Sequence, residues 1–486
     1  MAAAPPRAEQ LTGKGDAGPN LLTGPGAIPT APGGWPLLGH VVPLLTTPLA
    51  FVNSLPSLGD LVQIRLGPMK AVVVCDPELT RQVLVHDQVF DKGGPMYERA
   101  RELGGDGLGT CPHSRHRRQR RLTQPAFHHT RLPAYARTMT EQIDTVTGGW
   151  RDGQVLDVLA EMQALTTRVM LATMFSTSLT AEVLQRSISD MATFVSGLSR
   201  RTVMPAWLRS LPTPGNRRYR QAIGRLRTTI ASIITGRQSR PFDGEDLLSA
   251  LLAARDTDAP SVPGVSGTSG ASGTGRLSHA EVCDQVISFF LAGSETLATA
   301  LAWALHLLAR NPAILDRLHA EIDTVLDGRT PAWDDLPRLE LTRRIIAETL
   351  RLYPSGGLFS RTVTTNTRLG GHPLPAGTPV LVSPYLIHHR PDVYPDPSAF
   401  DPDRRLAANG GRTRGTYLPF GAGARVCIAE RFALTEAVLA LAAIVARWHL
   451  HPVPSSRVRV PGIVVVRPSG LRMRVRPRTA SAGTVS

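Results

Sequence analysis

The sequence predicts a mainly α-helical fold with a minor share of β-sheet, and three observations predict it. Apolar residues recur at helical spacing through most of 137–255. Ser278, followed three residues on by Glu281, is a capping-box pattern opening a long helical run to about Arg310, where Asn311-Pro312 ends it. Strand-like stretches are few, short and bounded by glycine and proline.

In chain order, residues 1–30 are rich in Gly, Pro and Ala and predict a disordered segment, with packed structure beginning at GGWPLLGH. LVQIRLG (61–67) and AVVVCD (71–76) flank Pro68, Met69 and Lys70 and predict a hairpin. Helices follow, as in VLDVLAEMQALTTRVMLATMF, broken by proline turns at 205 and 212–214. DAPSVPGVSGTSGASGTGRL (258–277) holds too little apolar surface to offset the entropy of ordering and predicts a flexible loop. The motifs on its two sides belong to one constellation, so a single domain over 31–478 is expected rather than two joined by a linker. LTRRIIAETLRLYP predicts a helix stopped by Pro354. TRLGGHPLPAGTPVLVSP, VRVPGIVVVRP and LRMRVRP predict short strands, and 479–486 a disordered tail.

With 486 residues, 42% of them hydrophobic, the chain can bury a large core. No uninterrupted apolar run of 18 residues occurs, and the N-terminus lacks the charged-then-apolar pattern of a secretory signal, so a cytoplasmic protein without a membrane anchor is expected. The formal charge of +15 invites a nucleic-acid reading. Only Lys14, Lys70 and Lys92 are lysines, however, and the most basic run, SRHRRQRRLTQPAFHH (114–129), lacks the stacking aromatics and second basic stripe of a nucleic-acid surface. No nucleic-acid partner is expected. Cys75, Cys111, Cys283 and Cys427 are scattered with no CxxC pair, so neither a disulfide framework nor a four-ligand zinc site is indicated.

One cysteine stands apart. In LPFGAGARVCIAERFAL (418–434), Cys427 sits among glycines, two positions after an arginine and just before an apolar helix. A thiolate there would gain from the positive helix N-terminus and its unpaired N–H groups. A buried structural cysteine is the plain alternative. A dinucleotide loop is not, because Val426 fills the sixth position of G-x-G-x-x-G and no hydrophobic strand leads in.

Read from Phe420 as F-x-x-G-x-R-x-C-x-A, the stretch resembles the cysteine loop of the cytochrome P450 family, the haem-thiolate monooxygenases, with Ala429 where the family usually has Gly. The resemblance implies that Cys427 ligates haem iron, that Phe420 shields the thiolate and that Arg425 pairs with a haem propionate. It implies that Gly421 and Gly423 adopt positive φ and let the backbone pass close to the porphyrin. AGSET (292–296) resembles the family's oxygen-activating segment. There Ala292 and Gly293 let the helix approach the haem, the Thr296 hydroxyl holds water or dioxygen, and Glu295 delivers protons. A threonine bonding back into its own helix is the alternative. H-x-x-x-R before Pro-Ala-Phe places His116 and Arg120 toward the propionates, and Arg361 matches a further propionate position. Glu348, Arg351 and Arg404 match a buried triad with a folding role.

These motifs occur in the family's order, and the resemblance spans roughly 30–478. It implies the P450 fold, with a long central helix over haem b and small sheets at one side. It implies insertion of one oxygen atom from O2 into a hydrophobic small molecule, with electrons from NAD(P)H through a separate ferredoxin and ferredoxin reductase. Arg117, Arg118 and Arg121 are expected to face that acidic carrier. FDKGG, GLGTCPHSRHRRQRR and PTPGNRR further resemble bacterial sesquiterpene oxidases, implying a terpenoid substrate in secondary metabolism; macrolide, polyketide and steroid-like substrates remain alternatives. Expected pocket walls are the 93–108 loop, 189–205, Phe289 to Leu291, Gly357 to Phe359 and Ile463 to Val465.

Overall fold

Ser278 accepts from the Glu281 amide at 3.2 Å while Glu281 accepts from the Ser278 amide at 2.8 Å. This reciprocal cap satisfies two donors and starts the helix His279–Ala309, the axis of the molecule. In the computed structural model, described here for residues 27–478 except 177–179, 205, 240–244, 256–274, 405, 407–414 and 455, this central helix is buried along most of its length. Among the described residues it is the one helix long and apolar enough to cross a membrane, yet most of that stretch is covered by protein. Its principal neighbour is the helix Val158–Phe175, whose Leu165, Val169 and Met174 share the main helical core. The helices Leu132–Gly148, Glu340–Leu352 and Glu430–Arg447 are among the others that contribute to that core.

A second core lies under a five-stranded sheet in the order β1-β2-β8-β5-β3. Its strands are β1 (Leu61–Leu66), β2 (Met69–Val74), β3 (Phe90–Asp91), β5 (Phe359–Val363) and β8 (Pro379–Val382). The predicted hairpin is present, with Leu66 opposite Met69. β2 pairs with β8 in parallel, and the other neighbours in the sheet are antiparallel. Two smaller sheets stand apart: β4 (Val155–Asp157) with β10 (Arg472–Pro477) and β9 (Trp448–Pro452), and the hairpin β6 (Thr367–Leu369) with β7 (His372–Leu374). Gly370 and Gly371, at φ +53° and +81°, make the two-residue turn of that hairpin.

Three expectations need correction or restriction. VRVPGIVVVRP forms isolated bridges at Arg459 and Val465 instead of a strand, because Pro461 and Pro468 carry no N–H and fix φ. The 93–108 stretch contains the helix Pro95–Gly104, begun by a proline and carrying an Arg99–Glu102 pair one turn apart. Packing begins before GGWPLLGH: the Gln63 amide donates to the Pro29 carbonyl at 2.7 Å, and Ala31 is buried. The rest of the segment expected to be disordered, most of the 258–277 loop and the 479–486 tail lie outside the described residues.

The E-x-x-R pair is buried. Arg351 donates to Glu348 through Nε at 2.9 Å and Nη2 at 2.7 Å, and Arg404 Nε adds a third contact at 3.3 Å. The remaining Arg351 donors reach the carbonyls of His388, Pro397 and Ala399. His388 carries the arrangement onward: its Nδ1 lies 3.0 Å from the Arg351 carbonyl, and its Nε2 accepts from the Leu418 amide at 2.8 Å. The Nδ1–H tautomer satisfies both bonds. The fully hydrogen-bonded buried ion pair is thus linked through His388 to Leu418, the first residue of the stretch that holds Cys427.

Candidate active site

The Cys427 amide donates to the Phe420 carbonyl at 2.9 Å, closing the loop directly ahead of the helix Glu430–Arg447. Gly421 and Gly423 have φ of +74° and +70°, as expected. A Cβ on Gly423 would lie 2.5 Å from the Leu84 carbonyl oxygen and 2.9 Å from the Val85 Cα. The close approach required at Gly423 is therefore to the helix Pro77–Val85, where passage beside a porphyrin was expected. Cys427 is exposed, although it lies at the foot of a helix rich in buried residues. Its sulfur is open to the surface yet closely surrounded by protein, and that partial desolvation pushes the thiol pKa up; the Ala429 amide, Arg120 and Lys92 pull it back, while Glu430 adds to the rise. Phe420 is half-buried against the helical core.

Around this loop lies a group of basic side chains. His116 is buried on the helix His113–Thr123, and burial, then Arg425, Lys92 and Arg120, push its pKa down to about 3, so it is neutral at pH 7. Arg120, one turn on, donates to the Val426 carbonyl beside Cys427. Arg361 donates to the Ser360 carbonyl at 2.9 Å and the Tyr97 hydroxyl at 3.3 Å, while its Nε is buried with no partner among the described residues. Lys92, absent from the sequence reading, donates to the Gly109 carbonyl at 2.7 Å and stands over the Tyr97 ring. Burial, then Arg425 and Arg361, push its pKa down to about 7. Lys92 lies in FDKGG, one of the stretches that carry the resemblance to sesquiterpene oxidases, but nothing in that stretch marks it as facing the propionates.

Arg425 departs from expectation. Its guanidinium is buried and donates to Asp91 at 2.7 Å, to Asp87 at 3.1 Å and to the Cys111 carbonyl at 2.9 Å. These ion pairs tie the cysteine loop to the 87–91 segment. Burial works to raise the Asp87 pKa, but hydrogen bonds from His113 and Arg425 outweigh it and hold the carboxyl below its ordinary value.

On the central helix, Ala292 and Thr296 are exposed one turn apart, whereas Ser294, Glu295 and the run from Leu297 to Leu305 are buried. Thr296 Oγ1 donates to the Ala292 carbonyl at 2.6 Å, the back-bond weighed as an alternative role. Two neighbours also grip this stretch: Thr166 Oγ1 donates to the Ser294 carbonyl at 2.7 Å and Ser355 Oγ to the Thr296 carbonyl at 2.6 Å. Glu295 is buried, accepting from Gln163 Nε2 and, at 3.3 Å, from Arg467 Nη1. Gly293 also meets a neighbouring helix. A Cβ there would lie 2.1 Å from Met170 Cε, so its smallness admits the Val158–Phe175 helix.

The expected pocket walls are also partly reassigned. Phe289 meets Phe127 edge to face at 5.0 Å and, with Phe290, belongs to the buried core. The Gly357 amide donates to the Val464 carbonyl at 3.1 Å, joining two expected walls. Arg118 pairs with Glu281 at 2.6 Å and so is held inward, while Arg117 remains exposed.

A sulfur, a small-residue patch on the central helix and several cations with few nearby carboxylates suit an iron porphyrin with two propionates. The buried Arg361 Nε without a partner suits the same group. Fold and site together define a haem-thiolate monooxygenase, and the chain belongs to the cytochrome P450 family, whose profile matches residues 29–472.

Pentalenene oxygenase of Streptomyces avermitilis is 45% identical over 452 residues, spanning 93% of this chain and 97% of that protein. Cyclooctatin synthase and cyclooctat-9-en-7-ol 5-monooxygenase of Streptomyces melanosporofaciens are 43% and 44% identical, over 92% and 88% of this chain and 95% and 90% of theirs. The crystal structure of the cytochrome P450DA heme domain aligns with a TM-score of 0.82 at 27% identity, covering 93% of this chain and 98% of that one.

Proposed function

We propose that this monooxygenase oxidises a terpenoid, a pentalenene-like sesquiterpene in particular, in bacterial secondary metabolism. One observation carries the reading: 45% identity to pentalenene oxygenase along nearly the whole of both chains. The names of the two Streptomyces melanosporofaciens relatives support it. A hydrocarbon has no polar group to orient it, so shape alone must hold it, and one methyl can be presented repeatedly for oxidation through alcohol to aldehyde.

When bound, haem b supplies the activation of dioxygen, consuming two electrons and two protons as one oxygen atom enters the substrate and the other leaves as water. Cys427 would ligate the iron as a thiolate, its charge offset by Arg120 and the Ala429 amide. His116, Arg120, Arg361 and Lys92 would hold the propionates, with Arg425 fixing the loop between them through Asp87 and Asp91. Ala292, small and exposed on the central helix, would leave room for the group and for dioxygen. Thr296, its proton directed at the Ala292 carbonyl, offers lone pairs to a water in the cleft. Glu295, positioned by hydrogen bonds from Gln163 and Arg467 that do not themselves transfer a proton, would take protons from water and relay them toward Thr296. Electrons come from NAD(P)H through a ferredoxin and its reductase, docked by arginines such as Arg117.

The test has two stages. Reduced, carbon-monoxide-treated holoprotein must show a thiolate-type Soret band. Pentalenene, a macrolide and a steroid are then titrated against the haem spectrum and incubated with ferredoxin, reductase and NADPH. A spectral shift and oxygenated product with pentalenene are expected; a response to the macrolide or steroid alone overturns the terpenoid reading. Turnover should fall as salt rises, and indifference to ionic strength overturns the charged docking.

A further inference from the structure

Residues 17–59 contain no Asp, Glu, Lys or Arg. Within that stretch, Trp35, Leu37, Leu38 and Leu45 are 57%, 88%, 50% and 56% exposed, the densest group of exposed large apolar side chains among the described residues. The turn that presents them is well defined. Trp35 and Gly39 exchange backbone bonds at 2.8 Å, the Gly67 amide donates to the Leu38 carbonyl at 3.1 Å, and Leu37 at the tip has φ of +61°. Leucine rarely adopts that conformation, and here it turns the most exposed apolar side chain of the group outward. The helix that follows, Val41–Thr46, has no buried residue although five of its six side chains are apolar. Leu44 packs partly against the sheet core, but among the described residues Trp35, Leu37, Leu38 and Leu45 are left largely uncovered, against their transfer free energy.

The rim is cationic. A Cβ on Gly39 would lie 2.7 Å from the Arg65 Cβ, so Arg65 emerges beside the turn. Arg65 stands directly opposite Lys70 across the β1–β2 hairpin; both are exposed, and neither has an ion-pair partner among the described residues. Like charges in opposed positions disfavour the hairpin, so the sheet itself gives no reason for the pair. Across a twofold axis the same two cations would repel their own copies. An anionic surface would attract them while the apolar group enters its interface, where tryptophan is favoured.

We propose that the Trp35–Leu45 turn and helix, with Arg65 and Lys70, form a peripheral docking surface for an anionic lipid membrane. This is a surface contact at the edge of the sheet, distinct from an anchor and independent of the substrate reading. The full-length holoprotein is sedimented with sucrose-loaded vesicles of phosphatidylcholine alone and of phosphatidylcholine with phosphatidylglycerol, alongside W35S/L37N and R65Q/K70Q. Asn tolerates positive φ, so the first variant keeps the turn, which an unchanged melting temperature verifies. The wild type should bind the anionic vesicles. W35S/L37N should lose most of that binding, and R65Q/K70Q should weaken it about fivefold per charge removed and abolish the preference for phosphatidylglycerol. Absence of binding to either vesicle, or equal binding by all three proteins, overturns the proposal. So does a concentration-dependent dimer, seen by sedimentation velocity without vesicles and lost in W35S/L37N, which would assign the surface to self-association.

Discussion

Arg467 Nη1 lies 3.3 Å from Glu295 Oε1, so a residue near the end of the chain holds the acid beside Thr296 on the central helix. If Glu295 delivers protons, Glu295→Gln should lower product formation by about 10²-fold, the usual scale for a positioned acid–base group. Arg467→Met should show a smaller loss. Substrate-induced spectral shifts should be unchanged in both, and an altered solvent isotope effect on turnover would separate proton delivery from packing.

Removing one partner of the Glu348–Arg351 pair leaves a buried charge unpaired. Glu348→Gln is expected to cost about 3–5 kcal/mol, read as a lower melting temperature and poor recovery of haem-containing protein. His388→Ala should cost less, about 1–3 kcal/mol, yet speed haem release disproportionately, because it unties Leu418 and the cysteine loop.

Gly293 and Met170 should be energetically coupled. Gly293→Ala forces Met170 Cε to move and is expected to cost about 1–3 kcal/mol. In a Met170→Ala background the cost should fall, and a denaturant double-mutant cycle should give a coupling of about 0.5–3 kcal/mol. Additive effects would mean the two side chains do not compete for that space.

Lys92→Met should accelerate transfer of haem to an acceptor apoprotein severalfold while leaving the far-ultraviolet circular dichroism unchanged. The same substitution at Lys70, on the exposed face of β2, serves as control and should leave transfer unaltered.

His319 bears on acid stability. Burial, then Arg478 and His449, push its pKa down to about 4, below the ordinary histidine value near 6.5. The unfolded chain therefore binds a proton that the folded chain resists, and stability falls as pH drops from about 6.5 to about 4, by at most about 1.4 kcal/mol per unit. His319→Phe should flatten the melting temperature over that window.

Local chemistry was readable from the sequence. The Ser278 cap, the hairpin, the positive-φ glycines and the Glu348–Arg351 pair each need residues only a few positions apart, so spacing defines them. Gln163, Arg467, His388 and Lys92 act on residues 30 to more than 300 positions away, and no periodicity marks such meetings. Gly293 and Gly423 were recognised as positions that must be small, but the helices that require it could be identified only from the fold. VRVPGIVVVRP misled because β-branched content signals a strand even where prolines remove the donors a ladder needs.

The parallel pairing of β2 with β8 places Val72 opposite Val380. At roughly 5–20 residues per second of synthesis, the ribosome delivers the partner about 15–60 s after the N-terminal hairpin has emerged. Until then the Val72–Val74 edge is an open template for any other nascent strand. Yield in a heterologous host should therefore respond more to slower translation, lower temperature and chaperone supply than to further stabilisation of the finished core.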